Sequence, residues 1–297
     1  MRLFEKLVND TGAKLKSDEP MKNHTSTGVG GNARYYAEAD SLYALKQIIE
    51  AAARLRIKYK IIGNGTNILV SDSGYDGLII NIRKIGDIFL KLGEVRAMAG
   101  ASLNKLIEFT VKNRLSGLEK LADIPATVGG AVVMNAGAFG SCISDRITCV
   151  CTLKNGKLRS YAKEECGFGY RKSRFLGKKE AVISADFHLE PCEKEMVLAG
   201  IKTYSEERKK IQPPGKCCGS VFKNPENDFA GRLIDAAGLK GYTLGGACVS
   251  EKHANFIINV KNASASDVFN LITYIKNTVR DRFGTELEEE VEYLGEF

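Results

Sequence analysis

A glycine-rich loop with a strand pattern on each side constrains this chain more than any other feature. Tyr59-Lys60-Ile61-Ile62 leads into Gly63-Asn64-Gly65-Thr66-Asn67, and Ile68-Leu69-Val70 follows. Successive backbone N–H groups in such a loop can converge on one concavity and hold a phosphate, because glycine permits positive φ and close approach. The nucleotide-binding loops that run from strand into helix carry G-x-G-x-x-G or GK[ST], and neither pattern occurs here. A nucleotide held by this loop therefore implies a different fold, in which no helix dipole binds the anion.

A chain of 297 residues with 44% hydrophobic residues has enough core for two or three domains. No apolar run approaches the roughly 18 to 20 residues that span a bilayer. Met1-Arg2-Leu3-Phe4-Glu5-Lys6 opens no signal-type segment, so a soluble, cytoplasmic protein without membrane attachment is expected. The eight cysteines form no C-x-x-C pair and the three histidines are scattered, so reduced thiols and no metal site are expected. The adjacent Cys217 and Cys218 read as packing residues. The net charge of +7 is spread among 36 acids, which disfavours nucleic acid and suits small anionic ligands. No obligate protein partner is indicated.

Periodicity suggests three successive segments. Asp40 or Ser41 caps a helix with Leu42, Leu45, Ile48, Ile49 and Ala52 on one face, giving a small α/β domain over 1–66. Over 67–192, strands are expected near 78–80, 95–98, 147–153, 158–161 and 182–189, with one helix after Ser102. The third segment, 193–297, starts with an amphipathic helix that stops at Gln212-Pro213-Pro214. It continues with a helix from Asp228 that Gly238 can end, strands near 247–249 and 256–258, and a long helix. That last helix is capped by Ser264 with Asp267 and closed by Gly284.

A second glycine-rich stretch runs from Ile124-Pro125-Ala126-Thr127-Val128-Gly129-Gly130 to Asn135-Ala136-Gly137. Its bare backbone suits contact with a flat ring or a diphosphate, and two tight turns flanking a buried strand would give the same pattern.

These segments together resemble the UDP-N-acetylenolpyruvoylglucosamine reductases, flavoenzymes of peptidoglycan precursor synthesis. The resemblance begins at Asn23-His24-Thr25-Ser26 and Val29-Gly30-Gly31 and passes through both glycine segments. It continues in Gly167-Phe168-Gly169-Tyr170-Arg171-Lys172-Ser173 and Gly219-Ser220-Val221-Phe222-Lys223-Asn224-Pro225. Ala237-Gly238-Leu239-Lys240-Gly241, Gly245-Gly246-Ala247 and Val249-Ser250-Glu251-Lys252-His253-Ala254 complete it. It implies an α+β architecture: a two-part FAD-binding region of the vanillyl-alcohol-oxidase/PCMH type clamps the cofactor, and a carboxy-terminal α+β domain binds substrate. FAD would lie against Gly63, Asn64, Gly65, Thr66 and Asn67, and against Ile124, Pro125, Thr127, Gly129, Gly130, Asn135 and Gly137. NADPH would be the hydride donor, and the enolpyruvyl group of UDP-N-acetylglucosamine enolpyruvate the acceptor, yielding UDP-N-acetylmuramate.

Such a reaction leaves negative charge beside a carboxylate, so it needs an electrostatic clamp and an acid. The resemblance places the proton donor at Ser220, the enolate-stabilising arginine at Arg171 and a further acid at Glu290. It also implies substrate contacts from Tyr170, Lys210 and Asn224. Taken alone, Gly219-Ser220 reads as a turn, Arg171 as part of a basic surface run, and Glu290 as one of six glutamates in a solvated tail. Alternation does not separate Glu290 from Glu292, and Glu289 stands where the family commonly has proline. About a dozen residues separate Arg171 from the strand at Val182, which matches the shorter subtype without a tyrosine-bearing loop. Two other readings fit less of the pattern. One is an FAD-dependent oxidase of the same superfamily, in which flavin stays attached on denaturation. The other is a non-catalytic nucleotide-sugar binding protein, which would purify colourless.

Overall fold

The computed structural model describes Phe4, Val8 and residues 13–297, so most of the amino-terminal stretch on which the absence of a leader was read lies outside the described residues. By its contacts the chain divides into two compact units, each assembled from separated stretches. The first comprises residues 1–16, 35–64 and 77–208, the second 17–34, 65–76 and 209–297.

The first unit is built around a five-stranded antiparallel sheet. Its order is Lys157–Ala162, Ile147–Lys154, Ala181–Phe187, Glu94–Met98, Ile88–Lys91. The strand Ala181–Phe187 lies in the middle and is buried at all seven positions, as a strand covered on both faces must be. Its one carboxylate, Asp186, stands opposite Arg96 in the ladder and takes a two-pronged guanidinium contact at 2.5 Å. The helix Leu42–Arg54 starts where Ser41 Oγ accepts the Ala44 N–H, and it buries Leu45, Ile48 and Ile49. Behind it Tyr59–Ile62 pairs in parallel with Tyr75–Asn81, at one edge of a sheet completed by Asn32–Glu38 and Lys14–Pro20. The last two strands lack a clear alternation of burial, which is why the pattern gave no sign of them.

The second unit has its own core, which includes Leu69, Phe222, Ile234, Leu271 and Ile275. A three-stranded antiparallel sheet, Thr243–Leu244, Ala247–Val249 and Ile257–Asn259, and the helices Ala230–Ala236 and Ala265–Phe283 supply most of it. Ile68–Val70, the strand after the first glycine loop, pairs in parallel with Glu292–Leu294 near the carboxy terminus. One expected boundary shifts. The short helix begins at Ala230 rather than Asp228, because Asn224 Oδ1, not the Asp228 carboxylate, accepts the Ala230 N–H at 3.1 Å. Asp228 instead pairs with Arg232 one turn on.

The long helix carries the capping box that its sequence indicates: Ser264 Oγ accepts the Asp267 N–H at 2.9 Å, and Asp267 Oδ2 accepts the Ser264 N–H at 3.0 Å. Asp267 also accepts from Gly246 N, and the Gly246 and Ser264 N–H groups hold its carboxyl below the usual aspartate value of 3.8. A group whose folded pKa is depressed stabilises the fold fully above its unfolded pKa, and that stability disappears as pH falls through the folded value. Asp267→Ala should therefore cost about 1 kcal/mol at neutral pH. Paired thermal melts should show the gap between wild type and variant closing as pH drops below the ordinary aspartate range. A gap that persisted in strong acid would mean that the carboxylate charge is not what matters.

Candidate active site

Within the first unit the two glycine-rich segments meet. Asn64 Nδ2 donates to the Pro125 carbonyl at 2.9 Å, and a Cβ on Gly63 would overlap the Thr127 hydroxyl. Gly63 is held in turn by Asn81, which is buried and donates from Nδ2 to its carbonyl at 3.1 Å. The second segment is not two turns around a strand. Val128–Met134 is a short helix, capped by Thr127 Oγ1 accepting from Gly130 N and ended by Asn135 in the left-handed conformation at φ 46°. Gly129 fits there because its backbone lies against Ala99, donating to that residue's carbonyl at 2.8 Å. Gly130 is exposed on the open side of the helix. The half-buried Ile124 and exposed Pro125 precede it on a stretch propped by Arg208. That residue, only 7% exposed, donates from Nε to Ala122 O at 2.9 Å, and burial lowers its pKa.

Asn135 is 3% exposed, and its side chain is committed to protein: Nδ2 donates to Gly169 O at 2.9 Å and Oδ1 accepts from Ser144 N at 3.3 Å. Any contact with a cofactor would come from its main chain. What the side chain does is anchor the tight turn 169–172, closed by a reciprocal backbone pair between Gly169 and Lys172. Tyr170 and Arg171 form the tip. Tyr170 is 55% exposed, and its ring lies 5.3 Å from the Arg171 guanidinium. Arg171 has φ 50°, a left-handed conformation that costs an L-residue about 1 to 2 kcal/mol. A turn that could have used glycine here carries arginine instead, as turns at Arg56, Leu92 and Arg114 also carry non-glycine residues at positive φ. The guanidinium donates to the Gly137 carbonyl at 2.9 Å, which sets its side chain against the end of the second glycine segment.

The other predicted residues belong to the second unit. Gly65 has φ 64°, and a Cβ there would overlap the His24 carbonyl oxygen. Its own carbonyl accepts from Ser26 N at 3.0 Å, so the motif Asn23-His24-Thr25-Ser26 packs against the loop. Thr66 is half-buried beside it. Asn67 donates from Nδ2 to the Glu290 carbonyl at 2.9 Å, and its own carbonyl accepts from Glu292 N at 3.0 Å. Glu290 N in turn donates to Val221 O at 2.8 Å, which places Glu290 beside the segment that starts with Ser220. The neighbouring acids are engaged elsewhere: Glu288 with Lys223 at 2.5 Å, Glu289 with Lys276 at 2.7 Å. Lys210 is exposed near the end of the helix Lys194–Ile211, and Asn224 is the exposed cap of the next helix. The structure thus gathers Gly63, Asn64, Pro125, Thr127, Gly137 and Arg171 in one unit, and Gly65, Asn67, Ser220 and Glu290 in the other.

Cys217 and Cys218 offer no reactive thiol near Ser220. Burial pushes both pKa values up, that of Cys218 to about 12, and all eight cysteines are free. Among the described residues no cluster of His, Cys, Asp and Glu could hold a metal, and no helix is long and apolar enough to cross a membrane. Asn81, Arg208 and Asn255, the last bonded to Phe222 two residues after Ser220, support the predicted residues, and no sequence pattern marks them. An isolated polar side chain bonded to a distant carbonyl leaves no periodic trace.

Comparison with known proteins supplies the frame for these residues. Residues 33–158 match the FAD binding domain family, and residues 210–294 match the UDP-N-acetylenolpyruvoylglucosamine reductase C-terminal domain family. A UDP-N-acetylenolpyruvoylglucosamine reductase of Carboxydothermus hydrogenoformans is 42% identical over 300 residues, 99% of each chain. One from Anoxybacillus flavithermus is 38% identical over 298 residues, again 99% of each. The crystal structure of the Thermus caldophilus enzyme superposes with a TM-score of 0.81 at 35% identity, over 95% of this chain and 99% of that one. A glucose dehydrogenase, Phl p 4.0202, shares the fold alone, at a TM-score of 0.50 and 13% identity over 64% of this chain and 44% of its own. The expected α+β architecture, an FAD-binding region of the vanillyl-alcohol-oxidase/PCMH type followed by a family-specific carboxy-terminal domain, is the one found.

Proposed function

The chain belongs to the UDP-N-acetylenolpyruvoylglucosamine reductase family, and on that premise we propose that it reduces the enolpyruvyl group of UDP-N-acetylglucosamine enolpyruvate to give UDP-N-acetylmuramate. It does so in the cytoplasm, with NADPH as reductant, as a step of peptidoglycan precursor synthesis that cell shape and division depend on. The domain roles follow the three expected segments: 1–66 and 67–192 hold FAD, and 193–297 binds the nucleotide sugar.

The residues present fit FAD. Two bare-backbone segments lie side by side, with Gly130 open to an approaching group and Gly63 held from behind by Asn81. Gly63 to Asn67 would hold the diphosphate through their main-chain N–H groups, while Thr127 to Gly130, whose N–H groups at Val128, Gly129 and Gly130 are already bonded to Ala101, Ala99 and Thr127, would line the cofactor with Ile124, Pro125 and Gly137. Bound there, FAD would supply the two-electron hydride chemistry that links NADPH to the enolpyruvyl double bond.

The chain's own residues do the rest. Arg171, fixed by its turn and by the Gly137 carbonyl, keeps a permanent positive charge for the developing enolate and its carboxylate. Ser220 gives its hydroxyl proton to the carbon next to the carboxylate, and Glu290 is the acid that stays within that neighbourhood. The observation that supports this reading is where the Glu290 backbone lies: it is bonded both to the Ser220 segment and to Asn67. Tyr170, Lys210 and Asn224 are proposed to contact the nucleotide sugar.

The test is NADPH consumption by FAD-loaded protein with and without the enolpyruvyl nucleotide. Sustained oxidation should require the nucleotide and yield a product heavier by two hydrogens; oxidation indifferent to it rejects the reading. Arg171→Lys should slow reoxidation of reduced flavin by the nucleotide about a hundredfold, because an ammonium cannot reproduce the forked contact. Reduction by NADPH should stay nearly unchanged, and unaltered reoxidation would show that charge alone suffices.

A further inference from the structure

The segment carrying Ser220 is not held by an ordinary ladder. It touches its neighbours through isolated bridges, Ser220 with Phe256 and Phe222 with Glu289. Val221 and Phe222 in this stretch are each 1% exposed, so their peptide groups have no water to turn to and must be paired within the protein. One buried side chain does much of that pairing. Asn255, 4% exposed, accepts the Phe222 N–H on Oδ1 at 2.9 Å and donates from Nδ2 to the Phe222 carbonyl at 2.8 Å. A carboxamide offers a donor and an acceptor in one plane, so it takes the place of a strand partner at a single residue. The Asn255 main chain adds a third contact, accepting Val221 N–H at 2.9 Å.

On the opposite edge the same segment meets the carboxy-terminal acids. Val221 O accepts from Glu290 N at 2.8 Å, and Lys223 N donates to Glu288 O at 2.9 Å. The Val221 peptide thus stands with Asn255 on one side and Glu290 on the other. We infer that Asn255 is a positioning residue for proton transfer: its clasp on Phe222 fixes the backbone that carries Ser220 in register with the backbone that carries Glu290. This rests on the proposed function, since it assigns Ser220 a proton to deliver. Asn255 touches no reacting atom. Its effect comes from holding the donor still, and displacement of a catalytic group by about 1 Å costs on the order of a hundredfold in rate.

Asn255→Ala removes both side-chain bonds, and Asn255→Asp keeps the acceptor for Phe222 N–H; the second variant carries the test if the first does not fold. Hydrogen exchange on the cofactor-free chain should speed up at the Val221, Phe222 and Glu290 amides, with the helix Ala265–Phe283 unaffected. In the FAD-loaded protein, reduction by NADPH should match wild type, while reoxidation by the enolpyruvyl nucleotide should fall about a hundredfold, with a larger solvent deuterium isotope effect. Equal losses in both half-reactions, or reoxidation at the wild-type rate, would overturn the inference. Wild-type protein whose reduced flavin the nucleotide fails to reoxidise would instead reject the proposed reaction, and this inference with it.

Discussion

Gly65→Val should yield protein that folds but purifies without flavin. Two effects coincide at this position. Valine is strongly disfavoured at φ 64°, where its branched Cβ crowds the backbone, and the new carbon would overlap the His24 carbonyl oxygen. The loop cannot yield without moving Ser26, whose N–H is bonded to the Gly65 carbonyl at 3.0 Å. The peptide planes meant for the diphosphate turn away, and the binding site is lost with them. Gly93→Val separates the causes: φ there is 84°, yet nothing lies within 4 Å of the added carbon. That variant should keep its flavin at a modest cost in stability. The check is the visible spectrum of each purified protein together with FAD affinity by titration of the stripped chain. A Gly65 variant that retained wild-type affinity would contradict the loop assignment.

Ser220→Ala should separate the two halves of the reaction. NADPH should bleach the flavin at nearly the wild-type rate, because that step needs no proton from the chain. Reoxidation by the enolpyruvyl nucleotide should fall by about a thousandfold, within the range a positioned acid contributes. Ser220→Cys should recover part of it only if the environment tolerates a larger atom between Val221 and Gly219. Stopped-flow traces of both half-reactions decide the matter. Losses shared equally between them would make Ser220 a structural residue, as its place in a turn-like Gly-Ser pair first suggests.

Much of this architecture was written in local pattern. The capping box of Ser264 and Asp267, the apolar face of Leu42–Arg54 and the strand Tyr59–Ile62 are each set by residues within a few positions of one another. Local signals failed where two of them compete for the same residues. Val132-Val133-Met134 is as apolar as a buried strand, yet it is helical because Thr127 caps its start and Asn135 adopts a left-handed turn at its end. Asp228 is a good cap residue by type, but Asn224 reached Ala230 first and Arg232 claimed the carboxylate. The site shows the same division. Glycine loops announce themselves, whereas Asn255 and Asn135 act on main-chain groups well removed in sequence, their Nδ2 atoms reaching carbonyls 33 and 34 residues away. The choice among the last glutamates also needed the fold, because only there does the Glu290 backbone meet both Val221 and Asn67.

The central claim is that main-chain amides of the first glycine-rich loop grip the diphosphate of FAD. A crystal structure of the FAD-loaded protein tests it most directly. The account predicts diphosphate oxygens within hydrogen-bond reach of N–H groups in residues 63–67. Diphosphate bound elsewhere, with those amides turned onto protein acceptors, would contradict it.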